Sequence, residues 1–183
     1  MIDSTALDDE RLEERLHAVR IAIEARDCTP LIEMFPPVPE DEIESAEARL
    51  GRRFPQDHRN FLMLHDGATL GVGLYIRSVP VQFRISILRT RDVIARTEYA
   101  RDKWPDSWSN KLAFAEYPEA NLCAFASPKG NGDTPVLDIP NAIPLAPEKI
   151  ADSFTDWMER IFEAVATRGE HFTYWLPKKL QNL

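Results

Sequence analysis

Apolar residues recur along this chain at two periods, and the switches between them divide it into elements. Leu12, Leu16, Val19 and Ile23 are spaced four, three and four, with Asp, Glu and Arg opposite, which predicts an amphipathic helix from about Thr5 to Ala25. Asp27, Thr29 and Pro30 stop it, and the Pro-rich run Phe35-Pro36-Pro37-Val38-Pro39 connects it to a second helical stretch. There Ile43, Ala46 and Leu50 form the stripe, Glu40, Asp41 and Glu42 occupy the first turn, and Gly51 stands where a left-handed stop is free of a Cβ clash. Pro55 opens a further helix carrying Phe61, Leu62 and Leu64, which ends at Asp66-Gly67.

Past Gly67 the period becomes two. Val81, Phe83, Ile85 and Ile87 alternate with Gln82, Arg84 and Ser86, the pattern of a half-buried antiparallel strand. Gly71 to Ile76 reads as the preceding strand, joined through Ser78-Val79-Pro80. A helix from Arg91 to Lys103 is expected to bury Val93, Ile94 and Tyr99 and to end at Trp104-Pro105. Short strands follow over Leu112–Ala115, Leu122–Ala126 and Pro135–Ile139, the last two joined by turn chemistry in Pro128–Asp133. Ser153 caps a closing helix, with Asp156 three positions on, and Phe154, Trp157, Met158, Ile161, Phe162 and Val165 make its apolar stripe. The order predicts an α+β fold, a mostly antiparallel sheet with helices packed on one side and an extra N-terminal helix. Three segments are expected: residues 1–30 as the N-terminal helix, 31–168 as the domain, and 169–183 as a tail.

Composition narrows the function classes. A chain of 183 residues with 44% hydrophobic residues has the length and apolar content to bury a core. Its net charge of −8 argues against nucleic acid or an anionic membrane as the main partner and favours a basic protein partner. Two isolated cysteines, Cys28 and Cys123, build neither a disulfide framework nor a CxxC site and read as small buried hydrophobes. The start lacks the basic and apolar regions of a signal peptide, and no apolar run approaches membrane-spanning length, so the expected compartment is the cytoplasm.

Candidate chemistry is sparse. His58 and His65 are seven residues apart on one helix, a rise of roughly 10 Å, too far to share one metal ion. His58 is expected to fill an aromatic slot and His65 to cap the helix end. A hydrolase assembled from Ser107 or Ser127 with His65 and Asp66 has no GxSxG elbow, and Lys129-Gly130-Asn131-Gly132 is too short for a P-loop. Hence no catalytic residue, metal ligand or cofactor is expected. The acids Asp8, Asp9, Glu10, Glu13 and Glu14 read as the solvated side of the first helix.

Leu50-Gly51, Phe54-Pro55, His58, Phe61-Leu62 and Asp66-Gly67 together resemble the signature of the SUKH superfamily, which groups bacterial toxin-immunity proteins with fungal cell-wall regulators. His58 departs from the family's usual Tyr, and Asp66 from its usual Asn. TPVLDIPN and SFTDWMERIFE resemble the family's late strand and closing helix, so the likeness spans roughly Pro36 to Ala166. It implies a non-enzymatic protein-binding domain, an immunity protein that neutralises a cognate toxin by direct binding; the toxin could be a basic nuclease met by carboxylates. The alternative is a regulatory interaction module of the cell-wall or signalling type, and a small hydrolase is a distant third. For contact residues the expectation falls on Tyr75, Trp104, Trp108, Asp133 and Asp138, because loops and strand ends present function on such scaffolds and Trp is enriched in hot spots.

Overall fold

A computed structural model describes residues 9–25, 28–76, 79–117, 121–127, 134–140 and 146–168. The elements in chain order are α1 (Asp9–Glu24), β1 (Thr29–Met34), α2 (Glu40–Leu50), α3 (Gln56–Leu64), β2 (Ala68–Ile76) and β3 (Val79–Ile87). They continue as α4 (Thr90–Lys103), α5 (Pro105–Trp108), β4 (Leu112–Glu116), β5 (Leu122–Phe125), β6 (Val136–Ile139), β7 (Glu148–Ala151) and α6 (Phe154–Arg168). The strands form one seven-stranded sheet in chain order, every pair antiparallel, so each strand lies beside its neighbours in sequence. The fold is α+β.

One face of the sheet meets α1 and α6. Ile32, Leu70 and Ile85 stand side by side across β1, β2 and β3, and Val19 and Ile23 of α1 with Ile161 and Phe162 of α6 cover them. These side chains line an apolar void of about 10 Å³ that offers a water no polar partners. Leu12 and Leu16 of α1 are fully buried, and Glu159 of α6 accepts from Arg11 at 2.8 Å and from Arg15 at 2.7 Å. Further along the sheet the core is aromatic. Phe114 of β4 stacks on Phe125 of β5 with centroids 4.1 Å apart, and Phe154 and Trp157 of α6 meet Phe114 edge-on. Phe114 is the extra residue of a β-bulge, since Ala113 pairs with Ala124 and Ala115 with Cys123.

Helix α4 finishes the sheet where β3 leaves it. Only Ser86 and Ile87 of β3 pair with β4, and the Ala113 N–H beyond them donates instead to the buried hydroxyl of Thr97 at 3.0 Å. A side chain on a helix thus replaces a missing strand partner.

Several expectations are corrected. Thr29–Met34 is an edge strand rather than a helix stop and connector; Pro30 fits there because β1 has a strand on one side only among the described residues. Val79 and Pro80 belong to β3 rather than to the connection, and Pro80 is tolerated because β4 does not reach that part of β3. Strand β7, short and charged at Glu148 and Lys149, carries no alternation by which it could be foreseen. Helix α3 ends at Leu64, which is half-buried rather than buried. Tyr99 is 54% exposed, because the stripe of α4 runs through Val93, Thr97 and Ala100 and leaves residue 99 on another side. Ser153 accepts from the Asp156 N–H at 3.1 Å, but Asp156 returns its bond to the Asp152 N–H rather than to Ser153. The start of the first helix before Asp9, the turn Pro128–Asp133, the Val81, Phe83 and Val165 side chains and the tail lie outside the described residues.

Candidate functional site

The α2–α3 joint shows what the recurrent residues do. Gly51 takes φ 67°, its N–H bonds Ala48 O, and the Arg52 N–H bonds Glu47 O, the two bonds of a Schellman stop after Leu50. The carboxylate of Glu47 is buried and accepts from the Phe54 N–H at 2.9 Å, closing the loop between the helices. Arg59 of α3 reaches back to Glu40 at 2.8 Å, Glu44 at 3.5 Å and Glu47 at 3.6 Å, so the acidic stripe of α2 fastens the two helices. Asp57 accepts from the Thr155 N–H at 2.9 Å and so ties α3 to the first turn of α6.

His58 is fully buried among Phe54, Phe114, Phe125 and Phe154, with ring centroids 4.9–5.8 Å away. Neither ring nitrogen has a hydrogen-bond partner, and burial lowers its pKa to about 3, so the imidazole is neutral. Phe61 and Leu62 are also buried, and Pro55 precedes the first turn of α3. His65 occupies the C-terminal cap of α3, and its Nε2 lies 3.8 Å from Asp9 of α1.

Asp66 and Gly67 form the second node. Asp66 Oδ1 accepts from the Thr90 N–H and from the Thr90 hydroxyl, both at 2.7 Å, and Oδ2 faces Arg89 at 3.3 Å. The side chain therefore caps α4 from outside that helix, since Arg89 at the cap position supplies no side-chain bond. Gly67 has φ 89°, and a Cβ on it would lie 2.6 Å from Ile87 O, so both conformation and space demand glycine. Of the residues weighed for a hydrolase, Asp66 bonds the first turn of α4 and the Ser107 hydroxyl donates to Trp104 O.

Of the residues expected to contact a partner, the side chains of Trp104, Trp108 and Asp138 are described, and they stand in different surroundings. Trp108 is 3% exposed and belongs to the core, because α5 turns it inward; as a surface anchor it is withdrawn. Asp138 stands opposite fully buried Cys123 in the β5–β6 register and so points to the helix-covered face rather than outward. Its Oδ1 is buried without a partner, and burial followed by the charge of Glu148 raises its pKa. Beside it the Trp157 indole donates to the Tyr117 hydroxyl at 3.1 Å, and Cys123 Sγ lies 2.9 Å from that hydroxyl. Burial drives the Cys123 and Tyr117 pKa values well up, so both stay protonated and the thiol is no nucleophile. Cys28 is half-buried. Tyr75 is placed as a backbone position opposite Pro80, its side chain outside what is described, as is Asp133.

Trp104 keeps a surface position. It is half-buried against the core and meets exposed Tyr99 edge-to-face, with centroids 6.3 Å apart at 88°. Sequence reasoning missed Tyr99, although the spacing of Val93, Thr97 and Ala100 already sets it off the buried stripe. Asp9, Glu10, Glu13 and Glu14 line the exposed side of α1, while Asp8 lies outside the described residues. Among the described residues no His, Cys, Asp and Glu group is arranged to hold a metal ion, and no helix is long and apolar enough to cross a membrane.

Glu47, Asp57 and Asp66 of this region thus cap and clamp helices, and the scaffold they hold is of the α+β class. The chain belongs to the SMI1 / KNR4 family (SUKH-1), which it matches over residues 37–160 and whose members are immunity or regulatory modules. No curated protein matches the chain. The match begins after β1, so α1 and β1 stand outside it and yet complete the core and the sheet.

Proposed function

We propose that this protein is a non-enzymatic immunity protein of the cytoplasm that neutralises a cognate toxin by direct binding. The observation that carries the reading is family membership across residues 37–160. Two further features support it. The signature side chains are occupied within the fold, and a half-buried Trp104 with an exposed Tyr99 gives α4 an aromatic pair of the kind that anchors interfaces. Neutralisation by occlusion needs slow dissociation, which comes from such anchors, while the acids of α1 and α2 set the encounter rate with a basic toxin.

Coexpression with the product of the adjacent gene tests the reading. Growth arrest by that product should be relieved by the wild-type protein and not by the Tyr99→Ala/Trp104→Ala variant. Arrest that the wild-type protein leaves unchanged refutes the immunity reading. The regulatory alternative, which the family equally contains, predicts recovery of several housekeeping partners in a pull-down.

A further inference from the structure

The sequence has 30 acidic and 22 basic side chains, and among the described residues most arginines have a carboxylate within ion-pairing distance, as Arg49, Arg59, Arg89, Arg96 and Arg160 do. One corner breaks that rule. Arg52, just after Gly51, donates through Nη1 to Asn110 O at 2.6 Å and through Nη2 to Ala126 O. Arg101 of α4 donates to Leu50 O at 2.9 Å and to Lys111 O at 3.3 Å. The Lys111 ammonium bonds Ser107 O. All these acceptors are main-chain carbonyls. None of the three cations, nor exposed Arg53 next in sequence to Arg52, has an ion pair among the described residues; Glu98 feels the charge of Arg101 but is held by Arg49 at 2.7 Å.

The corner is therefore tied down by main-chain carbonyls, half-buried and positively charged, with no ion-paired carboxylate among the described residues. Burial, and then the charge of Arg101, weaken Arg52's hold on its proton, and burial does the same to Lys111. A guanidinium carries five N–H groups, of which each arginine here spends two. Both Nε atoms are buried with no acceptor. The carbonyls at the ends of α2, β4 and β5 fix both forks in place, so an incoming anion meets donors that are already ordered. An oxyanion bridging the forks would replace like-charge repulsion with charge-assisted hydrogen bonds.

We propose that the Arg52–Arg101 corner is a seat for a carboxylate presented by an acidic segment of a protein partner. A polyanion fits poorly, because a nucleic acid needs a run of cations and meets a chain of net charge −8. The seat goes beyond the toxin reading and serves a toxin or a regulator equally. Its sign is opposite to that of the acidic helices, so the partner it fits has a surface of both signs.

The test follows the Arg52 and Arg101 Nε–H resonances, which burial protects from exchange, while the full chain is titrated with a triglutamate peptide, inorganic phosphate or a short single-stranded oligonucleotide. The expected result is saturable movement of both resonances with the peptide, and with phosphate as a bare oxyanion. Arg52→Gln should weaken peptide binding about tenfold, and Arg53→Gln, which touches no fold contact, about two- to threefold. Still resonances with the peptide, movement with phosphate alone, tighter binding of the oligonucleotide, or affinity unchanged in both variants would each overturn the assignment.

Discussion

Replacing His58 by Phe should remove much of this protein's sensitivity to mild acid. The imidazole lies among four aromatic rings with both nitrogens unpartnered, and its folded-state pKa is about 3 against roughly 6.5 in an unfolded chain. Between those values the unfolded chain binds one proton more than the folded one, so stability falls as pH falls, by about 1.4 kcal/mol per unit. The stabilisation is fully present above about pH 6.5; about 2 kcal/mol is lost by pH 5 and about 4 by pH 3. Phe cannot take up the proton, so this part of the slope disappears. At neutral pH the exchange relieves an unsatisfied N–H worth about 1–3 kcal/mol but overpacks the slot by a similar amount, so the net change there is small. Urea unfolding of both proteins across this range reads the difference as the shift in midpoint at constant m. Equal midpoint losses in the two proteins between pH 7 and pH 5 would refute the reasoning, as would a His58 resonance titrating near its unfolded value.

Four further outcomes follow from the joints. Gly67→Ala should cost more than about 2 kcal/mol because it adds a backbone clash with Ile87 O to a left-handed φ, whereas Gly51→Ala meets nothing within 4 Å and should cost only about 1–2 kcal/mol; equal thermal-melt losses would contradict this. Thr97→Val keeps the volume but strands the Ala113 N–H, an expected loss of about 1–3 kcal/mol by chemical denaturation. Asp66→Ala should lose about 1–2 kcal/mol as α4 loses its cap, and Asp66→Asn should recover most of that, since the amide oxygen still accepts from Thr90; hydrogen exchange in the first turn of α4 would report it. Asp138 has a raised pKa, so its protonated form is the one the fold favours: that stabilisation is present below about pH 3.8 and lost as pH rises through the folded value. Asp138→Asn should therefore stabilise the protein at pH 7 and have no such effect near pH 3.5, read from melting temperature against pH.

What the sequence made legible was local. Gly51 and Pro55 bracket the α2–α3 joint by conformational preference alone, and the spacings along α1 and α6 mark the buried stripes, whereas that of α4 misleads at Tyr99. What it hid depends on partners distant in the chain. Strand β1 is short and nowhere fully buried, with little alternation to read, and Pro30, read as a breaker, is tolerated because β1 is an edge. Trp104 and Trp108 sit in one polar segment, yet the single turn of α5 buries one and leaves the other at the surface. The direction of Asp138 follows from pairing with Cys123, a register that no local pattern around residue 138 specifies. Arg52 and Arg101 are 49 positions apart and meet only because α2 packs on α4, so their corner is invisible to motif reading.

The division of labour between motif and surface bears on how this protein could change partners. Gly51 fixes where Arg52 leaves α2, and Asp66 fixes where α4 begins, and hence where Tyr99, Arg101 and Trp104 stand. Both candidate contact regions therefore hang from the same two joints; Arg101 bonds Leu50 O at one of them, whereas the Tyr99 and Arg53 side chains lie exposed. A substitution at a joint moves both regions together and lowers stability; one at Tyr99 or Arg53 alters a single region and leaves stability within about 0.5 kcal/mol. Specificity can then drift at the surface without disturbing the scaffold.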